Sequence, residues 1–229
     1  MKLVLASNNA KKLAELQTLF APLDLQLTPQ GALGIAEADE PHVTFVENAL
    51  AKARHAAKHA DAAAIADDSG LCVDALGGAP GVLSARYATV GCASAHHSTS
   101  ALRERCAEAH PTNTTNSREQ ERALQDAANN RLLLERMQGI SDRRARFVSA
   151  LVAVRSPDDP EPLIAFGRWE GVILTVPRGE GGFGYDPLMF IPLLNQTVAE
   201  LSPEQKNTHS HRALASQQML ALMREVWKK

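Results

Sequence analysis

The sequence predicts an α/β protein in which strands and helices alternate along one chain. Three features indicate it: an apolar strand that leads through a polar loop into a helix, a capped helix followed by a second apolar strand, and two longer strands followed by a C-terminal helix. Alternation of this kind is typical of α/β folds. The chain has 229 residues, 45% of them apolar, which is enough for a large core in one domain or in two lobes that share it.

The first half of the chain gives the clearest element boundaries. Residues 3–6 form a short apolar run, and leucines recur at helical spacing over residues 11–20. Thr44 predicts the start of a second helix, because its side chain can cap the first turn and Glu47 can complete a capping box. We expect that helix to end near residue 59.

A loop and an insertion are expected in the middle of the chain. Residues 62–66 are an apolar strand that ends at two aspartates, and the glycines of residues 77–81 predict a loop. Small polar residues and histidines dominate residues 91–122, so we expect a surface insertion there, with a partly helical stretch at residues 102–109.

The second half predicts a helix, two strands and a closing helix. The helix covers residues 124–137, and the strands cover residues 146–154 and 163–176. The glycines of residues 179–184 indicate another loop. The last helix begins at about His211, and its apolar residues form one stripe.

The bulk composition excludes several classes of protein. With 24 basic and 26 acidic residues the formal net charge is -2, which gives no electrostatic reason for binding nucleic acid or an anionic membrane. Three cysteines without metal-site spacing favour a reducing compartment. The apolar start of the chain stops before Ser7, and no apolar run reaches the about 20 residues of a membrane-spanning helix. We therefore expect a cytoplasmic protein.

The turn between the first strand and the first helix is a candidate phosphate site. Free backbone N–H groups and the positive end of the helix dipole favour an anion there, and serine, asparagine and lysine side chains donate to phosphate oxygens. The candidate residues are Ser7, Asn8, Asn9, Ala10, Lys11 and Lys12. Asparagine and serine are also ordinary capping and turn residues, so both interpretations stay open.

Asp67 and Asp68 follow directly on the apolar run of residues 62–66. Open α/β sheets place ligands at the carboxyl ends of their strands, and carboxylate oxygens suit Mg²⁺. A carboxylate there can also orient or deprotonate an attacking water. Adjacent side chains of a strand point to opposite sides, so we expect only one of the pair to face the site, while the other supports it or caps the turn.

Charged residues around the capped helix are weaker candidates. Glu37, Asp39 and Glu40 lie just upstream and are either a further source of carboxylates or a solvated loop. Lys52 lies on that helix and either reaches a phosphate or remains on the surface.

Two C-terminal segments contain the residue types of a base-binding site. Phe183 and Tyr185 alternate with Gly184 and Asp186, and aromatic faces stack on nucleobases for about 1–3 kcal/mol; the alternative is a tight turn with core aromatics. Lys206, His211 and Arg212 are donors near the start of the last helix, where Ser210 can act as a simple cap.

Five blocks, taken in order, resemble the Ham1-like family of inosine/xanthosine triphosphate pyrophosphatases. They are Ser7, Asn9 and Lys12; residues 44–49 with Lys52; residues 65–71; residues 181–187; and Lys206 with Ser210, His211 and Arg212. Residues 77–87 follow the central block in the order expected of the family. The resemblance covers nearly the whole chain outside residues 91–122.

The resemblance implies a mixed central sheet flanked by helices, with two lobes around a nucleotide-binding cleft, and a homodimer. It also implies Mg²⁺-dependent hydrolysis of inosine, deoxyinosine and xanthosine triphosphates to the monophosphate and pyrophosphate. Asp68 would be the general base and, with Glu40, a metal ligand. The triphosphate would contact residues 7–12 and Lys52, and the remaining substrate contacts would be Ser69, Phe183, Gly184, Tyr185, Asp186, Lys206, His211 and Arg212.

The sequence departs from the family pattern in two places, and two other classes of protein are alternatives. Pro41 follows Glu40 where the family usually has glycine, which leaves Asp39 and Glu37 as alternative ligands. The insertion is longer than the usual connection, and we assign no function to its histidines, His96, His97 and His110. Maf-like nucleotide pyrophosphatases prefer a different N-terminal signature and modified pyrimidines. A nucleotide-binding regulator without turnover is disfavoured by the presence of Asp68 and Lys12.

Overall fold

The computed structural model describes residues 2–21, 26–94 and 115–227, and this part of the chain contains seven β-strands and six α-helices. The strands are β1 (Lys2–Leu5), β2 (Gln26–Pro29), β3 (Ala64–Val73), β4 (Arg144–Val154), β5 (Leu163–Ile173), β6 (Met189–Ile191) and β7 (Gln196–Thr197). The helices are α1 (Ala10–Phe20), α2 (Phe45–Ala60), α3 (Tyr87–Ser94), α4 (Thr115–Arg136), α5 (Pro203–His209) and α6 (His211–Leu222). The predicted α/β architecture is confirmed.

All seven strands belong to one open, mixed sheet in the order β2-β1-β3-β4-β5-β6-β7. Strand β1 runs parallel to β2 and to β3, with Val4 opposite Ala64. Strand β6 runs antiparallel to both β5 and β7. The parallel pairs require helical crossovers between their strands, which α1 and α2 supply.

The described residues divide into two compact units. The first takes those within Met1–Cys72, Arg146–Glu170 and Ser202–Lys229, and the second takes those within Val73–Ala145 and Gly171–Leu201. Strands β3, β4 and β5 each contain residues of both units.

In the first unit the sheet is covered on both faces. Successive side chains of a strand point to opposite faces, so Ile65 belongs to one face, and Ala64 and Ala66 belong to the other. The Ile65 face packs on residues of α1 and α6, including Leu16, Phe20, Ala215 and Met219. The opposite face packs on small residues of α2, namely Ala49, Ala53, Ala56 and Ala57. The side chains of β3 that follow Ala66 continue to alternate between these two faces.

A buried asparagine anchors the second unit. The Asn129 side chain accepts a hydrogen bond from Ala88 N at 2.8 Å and donates to the carbonyl oxygens of Ser84 and Ala85, both at 3.2 Å. The Tyr185 hydroxyl donates to the same Ser84 carbonyl at 2.9 Å. Helix α4 is thereby fixed to the turns that precede α3.

The start of α4 differs from the prediction. We expected this helix to begin at residue 124, but it begins at Thr115, inside the stretch that we interpreted as an insertion. Residues 118–122 are arginine, glutamate and glutamine, which favour a helix on a solvated face without supplying an apolar stripe. Residues 95–114, including the predicted helical stretch 102–109 and the three histidines, lie outside the described residues, and the insertion stays a prediction.

Short elements account for the other differences. The strand predicted to reach residue 176 ends at Ile173, and β2, β6 and β7 have only 4, 3 and 2 residues, too few for an alternating pattern. Helix α5 has a signal that we missed, because Ser202 and Gln205 form a capping box ahead of it. None of the helices in the described ranges combines the length and apolar character needed to cross a membrane.

Candidate active site

Asp67 and Asp68 lie inside β3 and not after it. The prediction that the strand stops at the aspartates was wrong, because β3 continues to Val73 and its carboxylates are buried with partners that satisfy them. Their side chains point to opposite faces of the sheet, as the strand geometry requires. Asp68 faces α2, and Asp67 faces α1 and α6, so each carboxylate organises a separate cluster.

The Asp68 cluster joins two carboxylates through one ammonium group. Lys52 Nζ lies 3.0 Å from Asp68 Oδ1 and 2.7 Å from Glu40 Oε1. Asn48 precedes Lys52 by one turn of α2, and its Nδ2 lies 3.4 Å from Asp68 Oδ2. Residues four apart share one face of a helix, which explains why α2 presents both donors to the same carboxylate.

Burial and charge act together on this cluster. Burial raises the pKa of Asp68, and the Glu40 charge adds to that effect, while Lys52 opposes both. For Lys52, burial favours the neutral form, but the charges of Asp68 and Glu40 outweigh it and raise its pKa. Lys52 is therefore a cation held between two carboxylates.

Asn48 also fixes the segment that carries Glu40. Its side chain is fully buried, accepts the His42 backbone N–H at 3.0 Å and donates to the His42 carbonyl at 3.2 Å. The amide therefore replaces a strand partner for this stretch of backbone. One side chain thus ties the segment just after Glu40 to the strand that carries Asp68.

The Asp67 cluster is more deeply buried and richer in donors. Asp67 accepts from Ser69 and Ser149, each at 2.7 Å, and pairs with Lys12 at 2.8 Å and with Arg212 at 3.4 Å. Burial alone would raise the pKa of Asp67, but the Lys12 and Arg212 charges and the hydrogen bonds hold it well below its usual range. Asp67 is an ionised structural carboxylate.

Arg212 adds Glu15, a second residue of α1, to this cluster. Its guanidinium contacts the Glu15 carboxylate and lies 3.0 Å from Ser69 Oγ, and its side chain is only 3% exposed. Lys206 pairs with the same Glu15 at 3.3 Å. Arg212 and Lys206, both predicted to contact a base, are brought together here on one glutamate.

His211 is buried beside these cations. Its ring stacks on Phe147 with centroids 4.9 Å apart, and burial, reinforced by the Arg212 charge, holds its pKa well below the usual value. Strand β5 approaches here very closely: a Cβ at Gly167 would lie 1.8 Å from the His211 carbonyl oxygen. Glycine at 167 is what allows α6 to start against the sheet.

The turn before α1 is stabilised by its own side chains. Asn9 Oδ1 caps the helix by accepting from Lys11 N at 3.1 Å and Lys12 N at 3.3 Å, and Ser7 Oγ accepts from Asn9 N at 3.2 Å. Asn8 is exposed, and Ala10 begins the helix. The capping alternative is therefore realised, which leaves phosphate binding by this turn a prediction.

The donor set of the Asp68 cluster fits a hard divalent cation. Asp68 and Glu40 direct oxygens to one position, since a single ammonium contacts both. Mg²⁺ is commonly held by one or two carboxylates together with waters and substrate phosphates. The described part of the chain has no group of three or more His, Cys, Asp or Glu arranged to hold a metal. The arrangement suits a cation shared with a phosphate and not a closed protein site.

The aromatic segment belongs to the second unit. Phe183 and Gly184 are partly exposed, whereas Tyr185 and Asp186 are each 4% exposed. Burial raises the pKa of Tyr185, so its hydroxyl remains a neutral donor. A φ of +76° at Gly182 and a Cβ that would lie 2.1 Å from Asp186 Oδ2 explain the glycine before this segment.

Among the partners in the site that were missed from the sequence, two had a usable signal. Glu15 lies one turn beyond Lys12 on α1 and so shares its face. Ser149 is the one hydroxyl in the apolar run of residues 147–154. A lone polar residue in a buried strand needs a partner, and Asp67 is that partner.

Fold and site together define an open-sheet α/β protein in which strand β3 carries a candidate site for a cation and a phosphate. The chain belongs to the Ham1 family, whose sequence model matches residues 3–120 and 111–222. The expected resemblance is confirmed.

Similar proteins share both sequence and fold with this chain over nearly its whole length. Proteins named dITP/XTP pyrophosphatase are 64% identical in Methylibium petroleiphilum, over 99% of each chain, and 62% identical in Leptothrix cholodnii, over 99% of each chain. A solved HAM1 protein from Coxiella burnetii has a TM-score of 0.79 and 39% identity, covering 99% of this chain and 100% of its own. The Ham1 protein of Staphylococcus aureus has a TM-score of 0.74 and 34% identity, over 98% and 99%.

Proposed function

We propose that this protein is a nucleoside-triphosphate pyrophosphatase that removes non-canonical purine nucleotides, namely inosine, deoxyinosine and xanthosine triphosphates. The convergence of Asp68, Glu40 and Lys52 carries the proposal, in a chain 64% identical to a protein named dITP/XTP pyrophosphatase. Water and the triphosphate give the monophosphate and pyrophosphate. The P–O bond between the α- and β-phosphates is the one that must break.

Asp68 is the proposed general base. Its Oδ2 side meets the Asn48 amide at 3.4 Å, and its Oδ1 side meets Lys52 at 3.0 Å, so the carboxylate is held in one orientation. A raised pKa brings a carboxylate closer to the operating pH, which favours proton acceptance from water. Asp68 and Glu40 are also the proposed ligands of Mg²⁺, which, when bound, would neutralise charge on phosphate oxygens.

The triphosphate is proposed to contact Lys12, Lys52 and the turn of residues 7–12. Lys12 retains 20% exposure of its side chain while paired with Asp67, and Lys52 retains 11%. Both ammonium groups therefore have carboxylate partners that fix their positions and a surface from which a phosphate is reached. The start of α1 adds the positive end of a helix dipole.

For base recognition, we propose that residues 183–186 supply the stacking surface. Among residues 183–186, the exposed parts are Phe183 and Gly184, so we assign the stacking surface to Phe183 and a supporting role to Tyr185 and Asp186. His211 and Arg212 are buried, and in this arrangement Arg212 holds Ser69, Asp67 and Glu15 in place. That Lys206, His211 and Arg212 also contact the base stays a prediction.

We further propose that the enzyme acts in the cytoplasm and forms a homodimer. The sparse cysteines favour a reducing compartment, and the resemblance of the sequence blocks to the family supports the dimer. Sedimentation of the full chain would measure the assembly directly.

A pyrophosphate-release assay across a nucleotide panel tests the function. With Mg²⁺ present, we expect rapid release from inosine, deoxyinosine and xanthosine triphosphates, much slower release from ATP and GTP, and none after chelation. Similar rates for all five nucleotides would contradict the proposed specificity. Preference for modified pyrimidines would favour the Maf-like alternative, and tight binding without release would favour a regulator.

A further inference from the structure

Residues 183–186 of the second unit form a closed turn. Asp186 N donates to the Phe183 carbonyl at 3.3 Å, and Phe183 N donates to Asp186 Oδ2 at 2.9 Å. Gly184, the second residue of the turn, has a φ of +62°, which a residue with a side chain rarely adopts. The turn is thus closed by backbone and side chain together.

Helix α4 holds this turn from outside. Asp126 Oδ2 accepts the Gly184 N–H at 2.8 Å, and Asn130 Nδ2 donates to the Gly184 carbonyl at 2.9 Å. Asp126 and Asn130 are four residues apart, so they lie on the same helix face. The middle residues of a β-turn have backbone groups that the turn itself does not pair, and these are the groups that α4 contacts.

The two hydrogen bonds determine how Phe183 is presented. The Gly184 N–H belongs to the peptide after Phe183, and the Gly184 carbonyl belongs to the next peptide, so both planes that flank Gly184 are fixed. Tyr185 is held separately, because its hydroxyl donates to the Ser84 carbonyl oxygen at 2.9 Å. The direction of the Phe183 side chain therefore depends on α4.

We infer that Asp126 and Asn130 are positioning residues for substrate specificity. They touch neither substrate nor reacting atoms in this assignment, and they act by setting the orientation of Phe183 against the purine base. The inference rests on the proposed function. Stacking requires a defined ring orientation, and a carboxylate-to-amide hydrogen bond is stronger than a neutral one, so Asp126 contributes the larger share.

The test separates substrate binding from chemistry. We would measure kcat and KM for inosine triphosphate and GTP in the wild type and in Asp126→Ala, Asn130→Ala and Asp126→Asn. In the alanine variants the KM for inosine triphosphate should rise about tenfold, which corresponds to about 1.4 kcal/mol, and preference over GTP should fall. The kcat should change less than about threefold. Asp126→Asn keeps an oxygen acceptor, so its KM should be close to that of the wild type.

Arg131→Ala is the matched control, because Arg131 is an exposed neighbour of Asn130 on the same helix. It should keep wild-type KM and selectivity. Folding of each variant is checked by its thermal transition, and Asn130→Ala carries the test if Asp126→Ala does not fold.

Unchanged KM and selectivity in the folded alanine variants, or a loss confined to kcat, would overturn the inference. A wild type that releases no pyrophosphate from inosine triphosphate would instead refute the proposed function. An active wild type with unaffected variants refutes only the positioning role.

Discussion

Ser149 donates its hydroxyl hydrogen atom to Asp67 Oδ1 at 2.7 Å, and neither side chain has appreciable exposed surface. The bond joins β4 to β3 on the sheet face that packs against α1 and α6. Asp67 uses its other oxygen to hold Lys12 and Ser69. Ser149 is thus part of the support for the lysine that we propose to contact the triphosphate.

Ser149→Ala should lower the free energy of unfolding by about 1.5–3 kcal/mol, the range for hydrogen bonds to charged groups. Urea unfolding measures it. Ser216 is an informative control, because it is equally buried but its hydroxyl has no hydrogen-bond partner among the described residues. Ser216→Ala should leave stability within about 0.5 kcal/mol of wild type or raise it. Equal losses in both variants would mean that the Asp67 bond adds nothing.

The bounds of the helices and strands show which parts of the fold could be predicted from the sequence. Long elements with many periodic residues, such as α1, α2 and α6, were predicted with nearly correct bounds, because periodicity is a local property. Strands β2, β6 and β7, of two to four residues, were not predicted, whereas β1, also of four residues, was. The strand through Asp67 was ended too early, since nothing local reveals that a buried carboxylate has partners.

The candidate site, like the fold, was predicted only in part. The sequence blocks identified Asp68, Lys52 and Glu40 as members of one site, and the structure brings these three together. Two of the partners of Asp67 are distant in the sequence, Ser149 by 82 residues and Arg212 by 145, so only the packed fold shows that they pair with Asp67. That Arg212 is buried among carboxylates was likewise invisible to the sequence.

Lys52→Met should separate nucleotide binding from cation binding. The substitution removes the ammonium from between Asp68 and Glu40, so the two carboxylates present more negative charge to a divalent cation. We expect stronger thermal stabilisation by Mn²⁺ than in the wild type, without nucleotide present, and a KM for inosine triphosphate at least about tenfold higher. Lys58→Met, at an exposed position of the same helix, should change neither value. Unaltered Mn²⁺ stabilisation would mean that Lys52 does not compete for the cation position.

His211→Gln should flatten the pH dependence of stability in mildly acidic solution. Burial first, then Arg212, hold the folded-state pKa of His211 well below the ordinary value of 6.5, so the folded state keeps the ring neutral while the unfolded state takes up a proton. The contribution of His211 to the free energy of unfolding is thus fully present above about pH 6.5. It is lost as the pH falls below that value, by up to about 1.4 kcal/mol per pH unit.

Urea unfolding of wild type and His211→Gln at about pH 7.5 and about pH 5.5 measures the difference. Asp67 does not confuse the result, because its lowered pKa confers stability that is present above about pH 4 and is lost only in stronger acid. Identical slopes in the two proteins would show that His211 titrates normally in the folded state.

Asp68→Asn should lose turnover and Asp67→Asn should lose stability, although the two residues are neighbours. Asp68→Asn removes the proposed base but leaves Lys52 paired with Glu40, so turnover should fall at least about 100-fold while the unfolding transition changes little. Asp67→Asn removes a fully buried charge that compensates Lys12 and Arg212, and breaking a buried ion pair costs about 3–5 kcal/mol. Steady-state kinetics and urea unfolding of both variants check the contrast. Near-normal turnover in Asp68→Asn would mean that another group is the base, and a stable Asp67→Asn would show that the charge of Asp67 is not needed to hold Lys12 and Arg212.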